Sequence, residues 1–277
     1  MKKIALLFCT AALLLVACDK EEPASNSEQP ETTQTDAFHA APDQNYPATA
    51  EVIYDAVTDV EGNHYDAVRI GDQIWMASNL RTRHYANNEA LEETNRISFT
   101  DPFFYIPSGD IASYGYLYNW PAVMHGEAPS ATNPSGVQGI CPKGWHVPSK
   151  AEWEQLINYC STHDECMCNE SSDNTAKSIA ADHGWRERAK TCAVGTDLSA
   201  NNATGFSALP AGAFCPSEYS DIEGEYVNFR KVAGFWCTTD YNDLNGYSFG
   251  LIDESVELCP PSLNAKTEGC SVRCIKD

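Results

Sequence analysis

Short apolar runs separated by turn residues fill the chain from about residue 52 onward, the pattern of a domain built mainly on strands. Asp59-Val60-Glu61-Gly62-Asn63 is a turn, and His64 to Ile70 then alternates toward one apolar face. Gly71-Asp72 reverses the chain into Gln73 to Ala77, so a hairpin is expected. Tyr114 to Trp120 is dense in aromatic residues and fits a buried strand or a packed loop. Core packing and a sugar-stacking surface are its two uses. The strongest helix signal opens at Ser149, where Ser149 and Glu152 have capping-box spacing and Pro148 and Trp153 are placed for a hydrophobic staple. Trp153, Leu156, Ile157 and Cys160 mark its apolar face, leaving Glu152 as a cap and Glu154 in solvent rather than as an acid/base pair. A shorter helix is expected from Asp173 or Asn174 to Ala181, closed by Gly184. Further strands are expected over 206–213, 234–239, 247–252 and 270–275.

The pattern before residue 52 is different. Met1-Lys2-Lys3, the apolar run from Ile4 to Val16 and the box Leu15-Val16-Ala17-Cys18 resemble a lipoprotein signal. Residues 1–17 are then a cleaved signal peptide and Cys18 the lipidated residue that anchors the protein to a membrane. Asp19-Lys20-Glu21-Glu22 looks like a lipoprotein surface-export signal, or simply begins a solvated linker; the first points to the outer face of the outer membrane, the second leaves its periplasmic face open. Residues 18–50 are rich in Glu, Ser, Thr, Gln and Pro and read as the lipidated cysteine followed by a disordered acidic tether. Residues 51–277 read as a single folded domain, of a length that suits one hydrophobic core system.

The formal net charge is -21, and loss of Lys2 and Lys3 with the signal would take it to -23. Such a chain repels phosphate backbones and anionic lipid, which excludes nucleic acid as a partner and membrane-surface binding outside the anchor. Of the 12 cysteines, Cys9 lies in the signal and Cys18 would be acylated, leaving ten, all between Cys141 and Cys274. An even number in an exported chain implies disulfides, whose pairing spacing alone does not give. The run Cys160-x-x-His163-x-x-Cys166-x-Cys168 also admits a zinc reading. Asp240, Asn242 and Asp243, in an acidic, amide-rich loop, are candidate calcium ligands, although the same composition makes a plain turn. No other cofactor is implied. The chain has no Gly-x-Ser-x-Gly elbow, no His-Glu-x-x-His and no phosphate-binding loop.

Several blocks together resemble one family. They are Ile70 to Leu80 (IGDQIWMASNL), Tyr116 to Trp120 (YLYNW), Cys141 to Pro148 (CPKGWHVP), Gly205 to Gly212 (GFSALPAG), Phe235-Trp236 and Ser271-Val272-Arg273-Cys274. In this order they resemble the Fibrobacter succinogenes major paralogous domain (FISUMP) family over nearly all of 52–277. The capped helix and the closing Val-Arg-Cys also look like the C-type-lectin-like fold of formylglycine-generating enzymes. The resemblance therefore implies an α+β, C-type-lectin-like domain with short twisted antiparallel sheets and two helices, stapled by disulfides. It implies a long-range bridge between Cys141 and Cys274. Cys237 and Cys270 depart together from the residues the family more often shows, which makes them a candidate added pair. The cysteine pair of formylglycine-generating enzymes has no counterpart here, so their activity does not follow from the fold. The expected function is a non-enzymatic ligand-binding or adhesion domain for an extracellular glycan or protein. The alternatives are a structural or assembly component of the cell envelope and, third, an enzyme.

Overall fold

Gly71 carries a positive φ of 59°, a conformation a glycine adopts without steric cost, and it closes the expected hairpin between β2 (His64–Ile70) and β3 (Gln73–Met76). A Cβ at Gly71 would lie 2.9 Å from the Tyr159 ring, so the turn also needs glycine for its close approach to a helix. β1 (Glu51–Thr58) pairs antiparallel with β2, its register shifting between Ile53 and Val57. The computed structural model describes residues 46–220 and 222–277; the expected signal peptide, the lipidated Cys18 and the tether to residue 45 lie outside the described residues.

In chain order β4 (Glu92–Glu93), β5 (Phe103–Tyr105), α1 (Ile111–Tyr114), β6 (Leu117–Tyr118), α2 (Trp120–Met124), β7 (Trp145–His146) and α3 (Lys150–Thr162) follow. After short 3-10 turns come β8 (Ala213–Pro216), β9 (Gly224–Val227), β10 (Val232–Asp240), β11 (Asn245–Ile252), β12 (Ser262–Ala265) and β13 (Ile275–Lys276). β1-β2-β3-β13-β7 form one sheet and β10-β11-β12 a second, with smaller groupings β4-β5-β6 and β8-β9. The strand pairings are antiparallel apart from β4 with β5. Ile275 stands opposite both Trp75 and His146, so the first and last segments of the domain share a sheet.

Because successive side chains of a strand point to opposite faces, strands buried on both faces feed two cores. Ala67 and Val68, Trp75 and Met76, Phe235 and Trp236, and Cys274 and Ile275 divide in this way. One core gathers Tyr65, Trp120, Trp145 and Trp236; the other gathers Trp75, Trp153, Trp185, Phe206 and Phe249. At the centre of the second, Trp153 stacks on Phe249 at 4.5 Å and lies 4.6 Å from Trp75. The Arg273 guanidinium, fully buried there, lies 4.6 Å over the Phe206 ring. It donates to Asn79 Oδ1 and to the carbonyls of Met76, Phe206 and Ser207. One cation thereby joins three distant segments through acceptors that would otherwise need other partners.

Cys141 and Cys274 are joined, with an S–S distance of 2.00 Å, and a second bridge links Cys168 with Cys192. Cys237 and Cys270 are not a pair: both are free and buried. Cys237 follows Trp236 on β10 and faces the second core, whereas Cys270 lies in the first. Strand alternation thus puts them on opposite faces.

Three further expectations are corrected. Over 173–181 only a 3-10 turn forms, at Ala176–Ser178. Its donors are used elsewhere: Ala176 N–H bonds to the Val256 carbonyl, and the buried Lys177 ammonium donates to the carbonyls of Thr196 and Asp197. Residues 206–212 are not a strand, since Ser207 and Gly212 have positive φ and Pro210 has no N–H. Residues 46–50 are not free tether: the Tyr46 hydroxyl donates to Asp66 at 3.1 Å and its ring meets Tyr54 edge-on.

Candidate ligand-binding face

α3 begins as the capping spacing predicts. Ser149 Oγ accepts from Glu152 N–H, and the Glu152 carboxylate accepts from Ser149 N–H. This start is also a platform for the β10–β11 hairpin. Thr238 N–H bonds to the Pro148 carbonyl, Lys150 N–H bonds to Thr239 Oγ1, and Lys150 Nζ sits 4.6 Å over the Tyr247 ring. At the other side of the hairpin a Cβ on Gly246 would lie 2.3 Å from the Trp120 ring, so only glycine allows this seat.

The tip of the hairpin, residues 241–244, holds itself rigid. Asn242 Oδ1 accepts from the backbone N–H of Leu244 and Asn245 and from Asn245 Nδ2, while the Asn245 carbonyl accepts from Tyr241 and Asn242. Tyr241 is 62 % exposed and Leu244 56 %, and Leu263 of β12, opposite Tyr247, is exposed as well. Two large apolar side chains are therefore displayed on an ordered turn with Asp243 between them.

The same geometry leaves the calcium reading of this loop without support. Asn242 Oδ1 is committed to the turn, and Asp240 faces Lys266 Nζ at 3.5 Å, a cation already in place. The zinc reading fails similarly: Cys168 is bonded to Cys192, and His163 Nδ1 turns to the Tyr159 carbonyl. Among the described residues no group of three or more His, Cys, Asp or Glu side chains is placed to hold a metal.

Beneath the platform lies a charged constellation that sequence reasoning missed. His146 is buried, its Nε2 2.7 Å from Glu152 Oε1 and its Nδ1 2.8 Å from Asp277 Oδ1. Burial lowers the imidazole pKa, but the hydrogen bonds and charges of Glu152 and Asp277 outweigh it and hold the pKa above the ordinary 6.5. Glu152 also accepts from the N–H of Ser135 and of Ser149. Both ring nitrogens are occupied by carboxylates, so the group clamps residue 277 to the start of α3 and has no free nitrogen to offer a substrate. The only sequence signal was local, His146 standing six residues before the capping glutamate.

No curated protein matches this chain, and neither does any solved structure. The family model described as Fibrobacter succinogenes major domain matches residues 68–276, from the middle of β2 through β13. The match spans most of both cores, the α3 platform and the β10–β11 hairpin, and on it the chain belongs to the Fibrobacter succinogenes major domain family.

Proposed function

We propose that this is a lipid-anchored extracytoplasmic protein, held by Cys18 in the outer membrane and facing outward. Its domain binds an external saccharide on the β10–β11 tip and carries out no catalysis. The observation that carries this reading is the exposed Tyr241 on a self-braced turn flanked by amide and carboxylate groups. An aromatic face beside hydrogen-bonding groups suits a sugar ring, which offers C–H to the one and hydroxyls to the other. The anchor is read from the Leu15-Val16-Ala17-Cys18 box, and two disulfides fit an oxidising compartment. A C-type-lectin-like architecture is part of the proposal, supported by the shared sheet of first and last segments and the bridge that closes it.

The test is a glycan array with the oxidised protein, the Tyr241→Ala variant, and chelator. Saccharide-specific binding, lost in Tyr241→Ala and unchanged in chelator, is the expected result. A blank array from folded protein would overturn the reading.

A second reading, an assembly component of the envelope, draws on another exposed apolar group: Ile106, Ile222 and Tyr226 are exposed, and the Tyr226 hydroxyl accepts from Ile106 N–H. Co-purification with an envelope protein that is lost in Tyr226→Ser, beside a blank array, is the result that would favour it.

A further inference from the structure

Cys160 closes the buried face of α3, and Cys166 ends the 3-10 turn Asp164–Cys166 that follows. Cys166 N–H bonds to the His163 carbonyl, which folds the turn back against the helix. The two side chains share the core of Trp153 and Leu156 and are hydrogen-bond partners, yet they are not joined. Their surroundings differ. Cys160 is wholly enclosed, whereas Cys166 is 3 % exposed and lines an open cleft of about 270 Å³ with Arg69, Gly71, Tyr159, Glu165 and Thr204. The hydrogen bond from Cys160 holds the Cys166 thiol below the usual thiol range against the opposing effect of burial, and the same bond, with burial, pushes the Cys160 thiol up.

We propose that Cys160 and Cys166 form a thiol–disulfide exchange site, with Cys166 as the attacking thiol at the cleft and an external disulfide as the substrate class. The Cys166 thiolate attacks one sulfur of the external disulfide, whose S–S bond breaks, and the first thiolate leaves. The mixed disulfide on Cys166 is then attacked by Cys160, which gives up its proton; the Cys160–Cys166 bond forms and the second thiolate leaves. The external disulfide takes up two electrons and becomes two thiols, the protons coming from Cys160 and Cys166. This chemistry is separate from the saccharide face and does not rest on it.

Glutathione disulfide is the probe. The full chain is incubated with it, quenched by alkylation at intervals and mapped by mass spectrometry. In the unsubstituted protein a transient glutathione adduct on Cys166 is expected to precede a Cys160–Cys166 cross-link. In Cys160→Ser the adduct on Cys166 is expected to persist, and in Cys166→Ser the adduct on Cys160 to form at least ten-fold more slowly. Both thiols left unmodified, an adduct that favours Cys160, or a cross-link that appears with no adduct on Cys166 would overturn the proposal. The time course in unsubstituted protein decides it even if a variant does not fold.

Discussion

The core that holds Trp120, Trp145 and Trp236 is closed by a covalent bridge, whereas the core of Trp75, Trp153 and Trp185 is built around one stacked indole and a buried guanidinium. In the first, Trp236 Nε1 donates to the Tyr118 carbonyl, the Tyr118 hydroxyl to Thr82, and the Tyr65 hydroxyl to Asp59, each at 2.7 Å. Cys141–Cys274 then closes it. In the second, Trp153 meets four aromatic rings, Trp75, Phe206, Phe235 and Phe249, and its indole N–H has no partner. Two faces of the same strands thus reach stability by different means, one sensitive to reduction and the other to volume.

The comparison breaks most sharply at the bridge. Replacing Cys141 and Cys274 together by Ala frees a sequence separation of 133 residues, for which the chain-entropy model gives a loss of about 5 kcal/mol. Denaturant unfolding measures it, and the same pair of changes at Cys168 and Cys192, 24 residues apart, should cost less, about 3.5 kcal/mol. Trp153→Ala strikes the other core and should cost about 3–5 kcal/mol by leaving a cavity between rings. Trp153→Phe should cost much less, because stacking survives and an unpartnered N–H disappears.

His146→Gln sits at the junction of sheet and α3 and should cost about 1–3 kcal/mol by weakening the pairing of the buried Glu152 carboxylate. The raised imidazole pKa makes this a pH-dependent term. Its stabilisation is complete below the ordinary histidine value of about 6.5 and fades as pH rises through the folded-state value above it. Unfolding midpoints taken at rising pH from the ordinary histidine value of about 6.5 upward should fall in the native protein and flatten in the variant. The smallest effect on stability belongs to Tyr241→Ala, a change within about 0.5 kcal/mol at an exposed site, while saccharide binding is lost. A large drop in stability there would mean that the tip belongs to the core frame rather than to a recognition surface.

Signals carried by neighbouring residues were legible in the sequence. The capping box at Ser149 and Glu152, the Gly71-Asp72 reversal and the apolar face of α3 each depend on a few adjacent positions, and each forms as its spacing predicts. What the sequence hid is settled by distant partners. The helix expected before Ala181 gives way to a bond from Ala176 to Val256 and to the reach of Lys177 across to residues 196 and 197. Cys237 and Cys270 could be told apart only by knowing which face each strand turns to which core. The candidate face was legible in part: its loop was singled out for its acidic groups, while the exposed side chains Tyr241 and Leu244 are what the fold displays. The spacing of Cys160 and Cys166 and of His146 and Glu152 was visible in the sequence, but the clamp to Asp277 and the contact of the two thiols needed three-dimensional proximity.

The segment 270–277 has a consequence in time. Cys270, Val272 and Cys274 complete one core, Arg273 and Ile275 the other, and Asp277 pins the start of α3. A nascent chain that has not yet delivered these eight positions has neither core closed, so folding of this domain waits until residues 270–277 have left the ribosome.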